Sequence, residues 1–149
     1  MYSRILIATD GSPLADKGLD QGLALAAALG ATVTILTVSE PWTAFGVDAT
    51  GFAVTEFALA DEYEKAVSVS GREILDKAAA AAQAAGVPCQ TVYQPGRFPA
   101  DAIIEYAQAN GTDLIVMASH GRRGLSRVLL GSQTTDVLTR STVPVLVVR

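Results

Sequence analysis

Cysteine, histidine and long hydrophobic runs are scarce or absent in this chain of 149 residues. The single cysteine, Cys89, cannot form an internal disulfide, and we expect it to be a small core residue. The single histidine, His120, has no partners for a zinc site. No apolar run approaches the roughly 18 to 20 residues that a membrane-spanning helix needs. Because the first residues also lack a leader pattern, we expect a cytoplasmic protein without a membrane segment.

Positive charge is in the minority as well. The chain has 11 Lys and Arg against 15 Asp and Glu, a formal net charge of -4. This balance argues against nucleic acid as a partner, because an extended nucleic-acid surface needs an excess of basic residues. A local basic patch is the exception: Arg122, Arg123 and Arg127 are either solvated loop residues or neighbours of a phosphate, and composition leaves both interpretations open.

Apolar runs alternate regularly with helical segments along the chain. The predicted strands are Arg4 to Thr9, Thr32 to Val38, Cys89 to Tyr93, Leu114 to Met117 and Val143 to Val148. The predicted helices are Pro13 to Leu29, Ala60 to Ala85, Pro99 to Asn110 and Gln133 to Thr142. This order predicts one α/β doubly wound domain over residues 1–149, with a five-stranded, mainly parallel sheet of order 3-2-1-4-5 and helices on both faces.

The segment from Trp42 to Phe57 has no clear periodicity. It follows the second predicted strand, where long excursions in compact domains are often lids or interface segments. An ordinary surface loop, or one extra helical turn, is the alternative. Trp42 is the only tryptophan and therefore a built-in fluorescence reporter at this end of the strand.

Glycines cluster after the fourth predicted strand, in the stretch from Ala118 to Ser132. Gly121, Gly124 and Gly131 allow an anion to approach the main chain without a Cβ in the way. Ser132 can cap the next helix or donate its hydroxyl to a ligand. Since the stretch joins a strand to a helix N-terminus, it predicts a phosphate-binding site at the carboxyl edge of the sheet.

Three common phosphate-site patterns are missing. No Gly-Lys-Ser or Gly-Lys-Thr occurs anywhere, which excludes a Walker loop. Gly11 after the first strand is a lone glycine and does not begin a dinucleotide fingerprint. A phosphoacceptor domain would place an acidic pair after the first strand and an Asp after the third. The chain has a single Asp10 and then Tyr93 and Gln94.

Ser119 and His120 invite comparison with a catalytic dyad. Adjacent residues that leave a strand point to opposite sides, and no third orienting group is evident. We therefore predict no catalytic residue and no protein metal ligand. For Asp10, a turn aspartate before the first helix is the simple interpretation, but a carboxylate at this strand end can also accept hydrogen bonds from ribose hydroxyls.

Taken together, four segments resemble the universal stress protein family. They are Ile-Ala-Thr-Asp-Gly-Ser at the end of the first strand, Val-Met-Ala-Ser-His-Gly at the end of the fourth, Gly-Leu-Ser-Arg-Val-Leu-Leu-Gly-Ser, and the final Pro-Val-Leu-Val-Val-Arg. The resemblance covers the whole chain. The ATP-binding branch of that family has a Gly, two residues, a second Gly, nine residues, and then Gly-Ser or Gly-Thr. Gly121 and Gly131-Ser132 match this spacing, and Ala118 stands where the first glycine is expected.

The resemblance implies ATP as the ligand, with Mg²⁺ or Mn²⁺ held mainly by the phosphates. The binding residues that it implies are Asp10 near the ribose, Val38 against adenine, Met117 and Ala118 along the nucleoside, and Gly121, Gly131, Ser132 and Gln133 at the phosphates. It implies a nucleotide-dependent sensor or regulator that acts on a protein partner and has at most slow hydrolysis or self-phosphorylation. The alternative is a dimeric interaction module that has lost nucleotide binding, with Ala118 as the sign of that loss.

The last predicted strand, Val143 to Val148, is apolar throughout. If it lies at the edge of the sheet, its unpaired backbone groups invite another strand. We therefore predict a homodimer in which these strands pair across a two-fold axis, and the family resemblance implies the same.

Overall fold

The computed structural model describes residues 1–42, 53–122 and 129–149, with side chains for all of these except 53–57. The strands are β1 (Arg4–Ala8), β2 (Thr32–Ser39), β3 (Cys89–Pro95), β4 (Leu114–Ala118) and β5 (Val145–Val148). The helices are α1 (Pro13–Leu29), α2 (Ala53–Ala84), α3 (Pro99–Ala109) and α4 (Ser132–Arg140). Within this described part, no helix combines the length and the apolar character that crossing a membrane requires.

The strands form one sheet of order β3-β2-β1-β4-β5, and all four pairings are parallel. This confirms the predicted α/β fold and its strand order. Because every strand runs the same way, the carboxyl ends of the strands lie along one edge of the sheet. Residues that are far apart in sequence, at the ends of β1, β2 and β4, thereby become neighbours.

The sheet is covered on both faces, as the unbroken apolar runs predict. Ile5 and Ile7 of β1 belong to the core cluster that packs against α1 and α2, whereas Leu6 between them belongs to the cluster of α3 and α4. All three side chains are almost completely buried. Each contributes roughly 1.5–3 kcal/mol of hydrophobic stabilisation. β1 is the middle strand of the sheet and supplies side chains to the core on both of its faces.

The beginning and end of α1 follow the predicted signals. The Ser12 hydroxyl accepts a hydrogen bond from the Ala15 amide at 3.2 Å, and Pro13 occupies the first turn, where no amide hydrogen is needed. Gly30 has φ 66° and ends the helix in the left-handed conformation. These local contacts start α1 directly after the carboxyl end of β1.

Several element boundaries differ from the prediction. α2 begins at Ala53, earlier than Ala60, so most of the excursion from Trp42 to Phe57 is either helix or lies outside the described residues. β3 continues to Pro95 because Gln94 and Pro95 still pair with Val38 and Ser39. β5 begins only at Val145, and α4 covers Ser132–Arg140.

The prediction that Cys89 is a core residue is wrong. Cys89 is a free, exposed cysteine at the start of β3. β3 is an edge strand, and its first three residues are all exposed. The apolar appearance of a short strand does not reveal whether that strand lies in the middle of a sheet or at its edge.

Asp113 holds the amino-terminal edge of the sheet together. Its carboxylate accepts hydrogen bonds from the Ser3 amide at 2.8 Å, the Ser3 hydroxyl at 2.9 Å and the Arg4 amide at 3.0 Å. Desolvation acts to raise the pKa of Asp113, but the three hydrogen bonds and the charge of Arg4 outweigh it and lower the pKa below its ordinary value. The contact ties the start of β1 to the start of β4.

Asp113→Asn is expected to lower stability at pH 7 by about 1 kcal/mol, because the neutral amide accepts hydrogen bonds less strongly and presents a donor to one of the amides. A lowered folded-state pKa means that the stabilisation is present above the unfolded-state pKa of about 3.9 and is lost as the pH falls through the folded-state value. The difference in Tm between wild type and variant should therefore shrink between pH 5 and pH 2. A difference that stays constant over this range would contradict the assignment.

Candidate functional site

A cavity of about 530 Å³ lies at the carboxyl edge of the sheet. Its walls come from the ends of β1, β2, β3 and β4, the inner side of α2, and the amino ends of α3 and α4. All eight predicted binding residues line it: Asp10, Val38, Met117, Ala118, Gly121, Gly131, Ser132 and Gln133. The position of the cavity is the one expected for a ligand site in a parallel sheet.

Asp10 connects the ends of β1 and β4. Its Oδ1 accepts a hydrogen bond from the Ser12 amide at 2.9 Å, which is the turn interaction expected before a helix. Its Oδ2 accepts a second hydrogen bond from the Arg122 amide at 2.8 Å. The carboxylate therefore fixes the backbone on both sides of the cavity mouth, and it lines the cavity as well.

Glycine is required at position 121 because there is no room for a side chain. A Cβ at this position would lie 2.7 Å from Oδ2 of Asp10, much closer than the two atoms can approach. Its φ is not positive, so backbone conformation does not demand glycine here. The absence of a side chain lets the loop after β4 pass directly over the Asp10 carboxylate.

The amino end of α4 faces the cavity without a side-chain cap. Gly131 is the N-cap residue and Ser132 is the first helical residue. Of the two roles expected for Ser132, capping is therefore wrong, and donation of its hydroxyl to a ligand stays a prediction. The first helical hydrogen bond runs from the Thr135 amide to the Gly131 carbonyl at 2.9 Å. The amides before Thr135, those of Ser132, Gln133 and Thr134, have no acceptor inside the helix and form a potential anion site.

Gly131 lies close to the end of β4. Its amide donates to the Ser119 carbonyl at 2.8 Å, and a Cβ on Gly131 would lie 3.3 Å from that oxygen and 3.4 Å from Cα of His120. The Thr134 hydroxyl donates to the Ala118 carbonyl at 2.9 Å. These contacts hold the amino end of α4 against the residues that follow β4.

Gln133 has a structural contact that its sequence position does not reveal. Its Oε1 accepts a hydrogen bond from the Ala100 amide at 2.9 Å and so caps α3, whose own N-cap residue, Phe98, provides no side-chain hydrogen bond. Because Oε1 is occupied in this way, the remaining polar group of Gln133 is its amide nitrogen, which only donates. A donor is the group that a phosphate oxygen requires.

Part of the cavity lining is apolar. Val38, Met117 and Ala118 lie there, together with Leu36 and Ile103. Such a wall suits a flat, weakly polar ring system better than a phosphate.

Ala118 does not strain the backbone. No described residue other than glycine has a positive φ, so Ala118 adopts an ordinary conformation and its methyl group is tolerated. Ala118 is only 7% exposed. The departure from the family spacing at this position therefore causes no backbone strain.

The sequence prediction missed residues of β2, α2 and β3 that line the same cavity. The Ser39 hydroxyl and the Tyr93 hydroxyl lie 2.8 Å apart and form a hydrogen bond. Gly71 of α2 packs on the Tyr93 ring: a Cβ there would lie 2.7 Å from Cε2 of Tyr93. The polar residue at the end of β2 was an available signal for Ser39, whereas only the folded chain brings Gly71 to Tyr93.

Trp42 contacts a residue of the cavity wall, Tyr63. Its ring centroid is 5.3 Å from that of Tyr63, with an interplanar angle of 57°. Tyr63 lines the cavity and donates a hydrogen bond to the Glu40 carbonyl at 2.9 Å. The emission of Trp42 is therefore placed to respond when Tyr63 moves.

Ser119 and His120 do not point apart, and that expectation is wrong. The Ser119 hydroxyl and Nδ1 of His120 lie 3.0 Å apart. β4 ends at Ala118, so the alternation of a strand no longer governs these two residues. His120 lines the cavity, whereas Ser119 is only 2% exposed.

Of the predicted basic patch, only Arg122 belongs to the described residues, and it lines the cavity. Arg123, Gly124 and Arg127 lie outside them. Within residues 1–42, 53–122 and 129–149, no group of three or more His, Cys, Asp or Glu side chains could hold a metal ion.

Comparisons with known proteins identify the family that this chain matches. The family model described as "Universal stress protein family" matches residues 1–149. The universal stress protein YxiE of Bacillus subtilis is 36% identical over 149 residues and is covered completely, as is this chain.

Two solved structures share the fold at somewhat lower identity. The structure of MJ0577 from Methanocaldococcus jannaschii is 28% identical, with a TM-score of 0.82 and coverage of 99% of this chain and 96% of that one. A universal stress protein in complex with cAMP is 27% identical, with a TM-score of 0.71 and coverage of 99% and 97%. The second of these binds an adenine nucleotide.

Proposed function

Because the chain belongs to the universal stress protein family, we propose that it binds ATP in the cavity at the carboxyl edge of the sheet and acts as a nucleotide-dependent regulator in a stress response. The observation that carries the proposal is the convergence of eight residues from four parts of the chain on one cavity of about 530 Å³. A relative in complex with cAMP supports an adenine nucleotide as the class of ligand. We keep the cytoplasm as the expected location.

The cavity has two chemically different parts that suit a nucleotide. Val38, Met117 and Ala118 offer an apolar surface for the base, and Asp10, which lines the same cavity, can accept hydrogen bonds from the ribose hydroxyls. The amides at the start of α4 offer donors for the phosphates, and Arg122 adds a positive charge to the cavity lining. Mg²⁺ or Mn²⁺ would be held mainly by the phosphates, with the Ser132 hydroxyl nearby.

The role we propose is that of a sensor. Both carboxylate oxygens of Asp10 already accept backbone hydrogen bonds, so this residue is better placed to hold the site together than to activate water. Rapid hydrolysis would need a general base aimed at a water and a further cation at the transferred phosphoryl group. We therefore expect slow hydrolysis or self-phosphorylation at most, and a protein partner that responds to the bound state.

Thermal stability in the presence of nucleotides tests the proposal. A ligand that binds only the folded chain raises the free energy of unfolding by about 2.7 kcal/mol at 100 times its Kd. ATP with Mg²⁺ at millimolar concentration should raise Tm by several degrees, and GTP, which differs in the base, should raise it less. A Tm that none of ATP, AMP and cAMP changes would favour the alternative, an interaction module without a nucleotide.

We also propose that β5 pairs with β5 of a second copy. β5 is an edge strand among the described strands, Leu146 on it is 39% exposed, and it contains no charge or proline within Val145–Val148. Charged residues and prolines are the usual protection of an exposed edge. Around a two-fold axis, β5 of each copy would pair with β5 of the other, so that the free backbone groups of both strands would be hydrogen-bonded.

Val147→Pro is expected to separate the dimer while the fold survives. The carbonyls of Pro144 and Val148 accept hydrogen bonds from Ile115 and Ser119 of the β4 side. By alternation, the backbone of Val147 points to the free edge, where a proline removes a donor without breaking the β4 pairing. The mass in solution should fall from two chains to one, whereas Val147→Thr, which keeps the donor, should remain dimeric. A Val147→Pro variant that stays dimeric would contradict this arrangement.

A further inference from the structure

A pair of hydroxyl groups lies at the carboxyl end of β2. The hydroxyls of Ser39 and Tyr93 are 2.8 Å apart, and both residues line the cavity. Tyr93 of β3 is paired in register with Thr37, yet its hydroxyl reaches Ser39, two residues further along β2. Because two residues of a strand span about 6.6 Å, the Tyr93 side chain runs along the sheet toward the carboxyl edge. The hydroxyl pair is therefore at the edge of the sheet that the cavity occupies.

Gly71 gives the Tyr93 ring its place against α2. It is a buried residue in the interior of that helix, where glycine is less favourable than alanine, so its presence calls for a reason. A Cβ at this position would lie 2.7 Å from Cε2 and 2.9 Å from Cδ2 of Tyr93. The helix backbone can approach the ring this closely only without a side chain. The ring is thus held between α2 and Ser39 and is a fixed part of the cavity wall.

The hydroxyl pair is separated from the amino end of α4 along the edge of the sheet. The Gly131 amide, which donates to the Ser119 carbonyl at 2.8 Å, fixes that end of α4 directly after β4. Ser39 is on β2, two strand spacings or about 10 Å from β4, and Tyr93 is on β3, one spacing further. A nucleotide whose phosphates bind at the α4 amides therefore has its base toward the hydroxyl pair.

The hydroxyl pair has hydrogen-bonding capacity left for a ligand. Each hydroxyl has one hydrogen and two lone pairs, and the bond within the pair uses one hydrogen and one lone pair. Since a phenol donates more readily than an alkyl hydroxyl, Tyr93 donates to Ser39. The pair then offers a donor, the Ser39 hydroxyl, and an acceptor, Oη of Tyr93, at 2.8 Å from each other. Adenine has the complementary groups, an amino group that donates beside a ring nitrogen that accepts.

We propose that the hydroxyls of Ser39 and Tyr93 bind the amino edge of adenine and that Gly71 is the positioning residue of the Tyr93 ring. The inference rests on the proposed function and adds to it the residues that select the base. Oη of Tyr93 accepts a hydrogen bond from the 6-amino group, and the Ser39 hydroxyl donates to the adjacent ring nitrogen. None of these three residues belongs to the set that the family resemblance implies.

An ATP analogue without the amino group tests the contact. Purine riboside triphosphate has a hydrogen in place of the 6-amino group and keeps the ribose and the phosphates. In the wild type its Kd should be about fivefold higher than that of ATP, the effect of one neutral hydrogen bond. Tyr93→Phe keeps the ring and removes the acceptor. In this variant the Kd for ATP should rise about fivefold, and the two Kd values should agree within about twofold.

Tyr106→Phe is the matched control. It removes a phenol hydroxyl that accepts a hydrogen bond from Gln90 at 3.1 Å, and Tyr106 lies outside the described lining of the cavity. Both Kd values should stay as in the wild type. Equal Kd values for ATP and the analogue in the wild type, or a ratio that Tyr93→Phe leaves unchanged, would overturn the inference and leave the proposed function standing. If the wild type binds neither compound, the proposed function fails and this inference fails with it.

Gly71→Ala tests the positioning role. The new Cβ must displace the Tyr93 ring, so we expect the Kd for ATP to rise about tenfold. In a Tyr93→Leu background the ring is gone, and Gly71→Ala should then change the Kd by less than about twofold and raise Tm, because alanine favours the helix. An equal effect of Gly71→Ala on the Kd in the two backgrounds would contradict the positioning role.

Discussion

Replacing Gly131 with valine is expected to lower the affinity for ATP by at least about 100-fold while the chain remains folded. The Gly131 backbone has φ -62° and ψ 154°, which any residue can adopt, so the substitution causes no backbone strain. Its Cβ would instead lie 3.3 Å from the Ser119 carbonyl, and its two methyl groups would occupy the space in front of the α4 amides. Loss of these charge-assisted hydrogen bonds accounts for the expected effect.

Calorimetry with ATP and Mg²⁺ measures this effect, and Tm checks the fold. We expect a loss of stability of about 1–2 kcal/mol from the tight packing, which leaves most molecules folded. Ser141→Val is a control for ATP affinity, because Ser141 ends the same helix with a similar extended backbone, φ -72° and ψ 137°, away from its amino end. It removes the two hydrogen bonds of the Ser141 hydroxyl with Val143 and should lower stability without changing ATP binding. Nearly normal ATP binding by Gly131→Val would show that the phosphates bind elsewhere.

Gly121→Ala is expected to damage the link between β1 and the loop after β4. The new Cβ would lie 2.7 Å from Oδ2 of Asp10, the atom that accepts the Arg122 amide at 2.8 Å. Either the carboxylate or the loop must move, and we expect a loss of about 2 kcal/mol in stability together with at least a tenfold loss in ATP affinity.

A double-mutant cycle tests this cause directly. Asp10→Ala removes the carboxylate with which the alanine collides, so Gly121→Ala should cost less than about 0.5 kcal/mol in that background. Urea unfolding of the four proteins gives the interaction free energy. Additive losses would mean that the collision with Asp10 is not what makes glycine necessary at position 121.

The fold was predictable because the sequence patterns that mark its strands and helix ends are local. Continuous apolar runs such as Ile5 to Ala8 are typical of strands buried on both faces, and Ser12 with Pro13 begins α1 as their chemistry requires. The position of a strand within the sheet is a non-local property. Cys89 was therefore placed in the core, although it begins an exposed edge strand.

The candidate site was predictable in its residues and less so in their contacts. The eight expected residues line one cavity because strand ends and glycines carry a recognisable pattern. What Gln133 binds could not be inferred, since its partner, the Ala100 amide, belongs to another helix. The contact of Ser119 with His120 was missed because the exact end of β4, at Ala118, decides whether strand alternation applies.

Calorimetric titration of the wild-type chain with ATP and Mg²⁺, with the emission of Trp42 followed in parallel, tests the central claim most directly. We predict saturable heat with one nucleotide bound per chain, and a change in emission over the same concentrations, because Trp42 contacts Tyr63 in the cavity wall. Neither heat nor a change in emission at millimolar ATP would contradict the account.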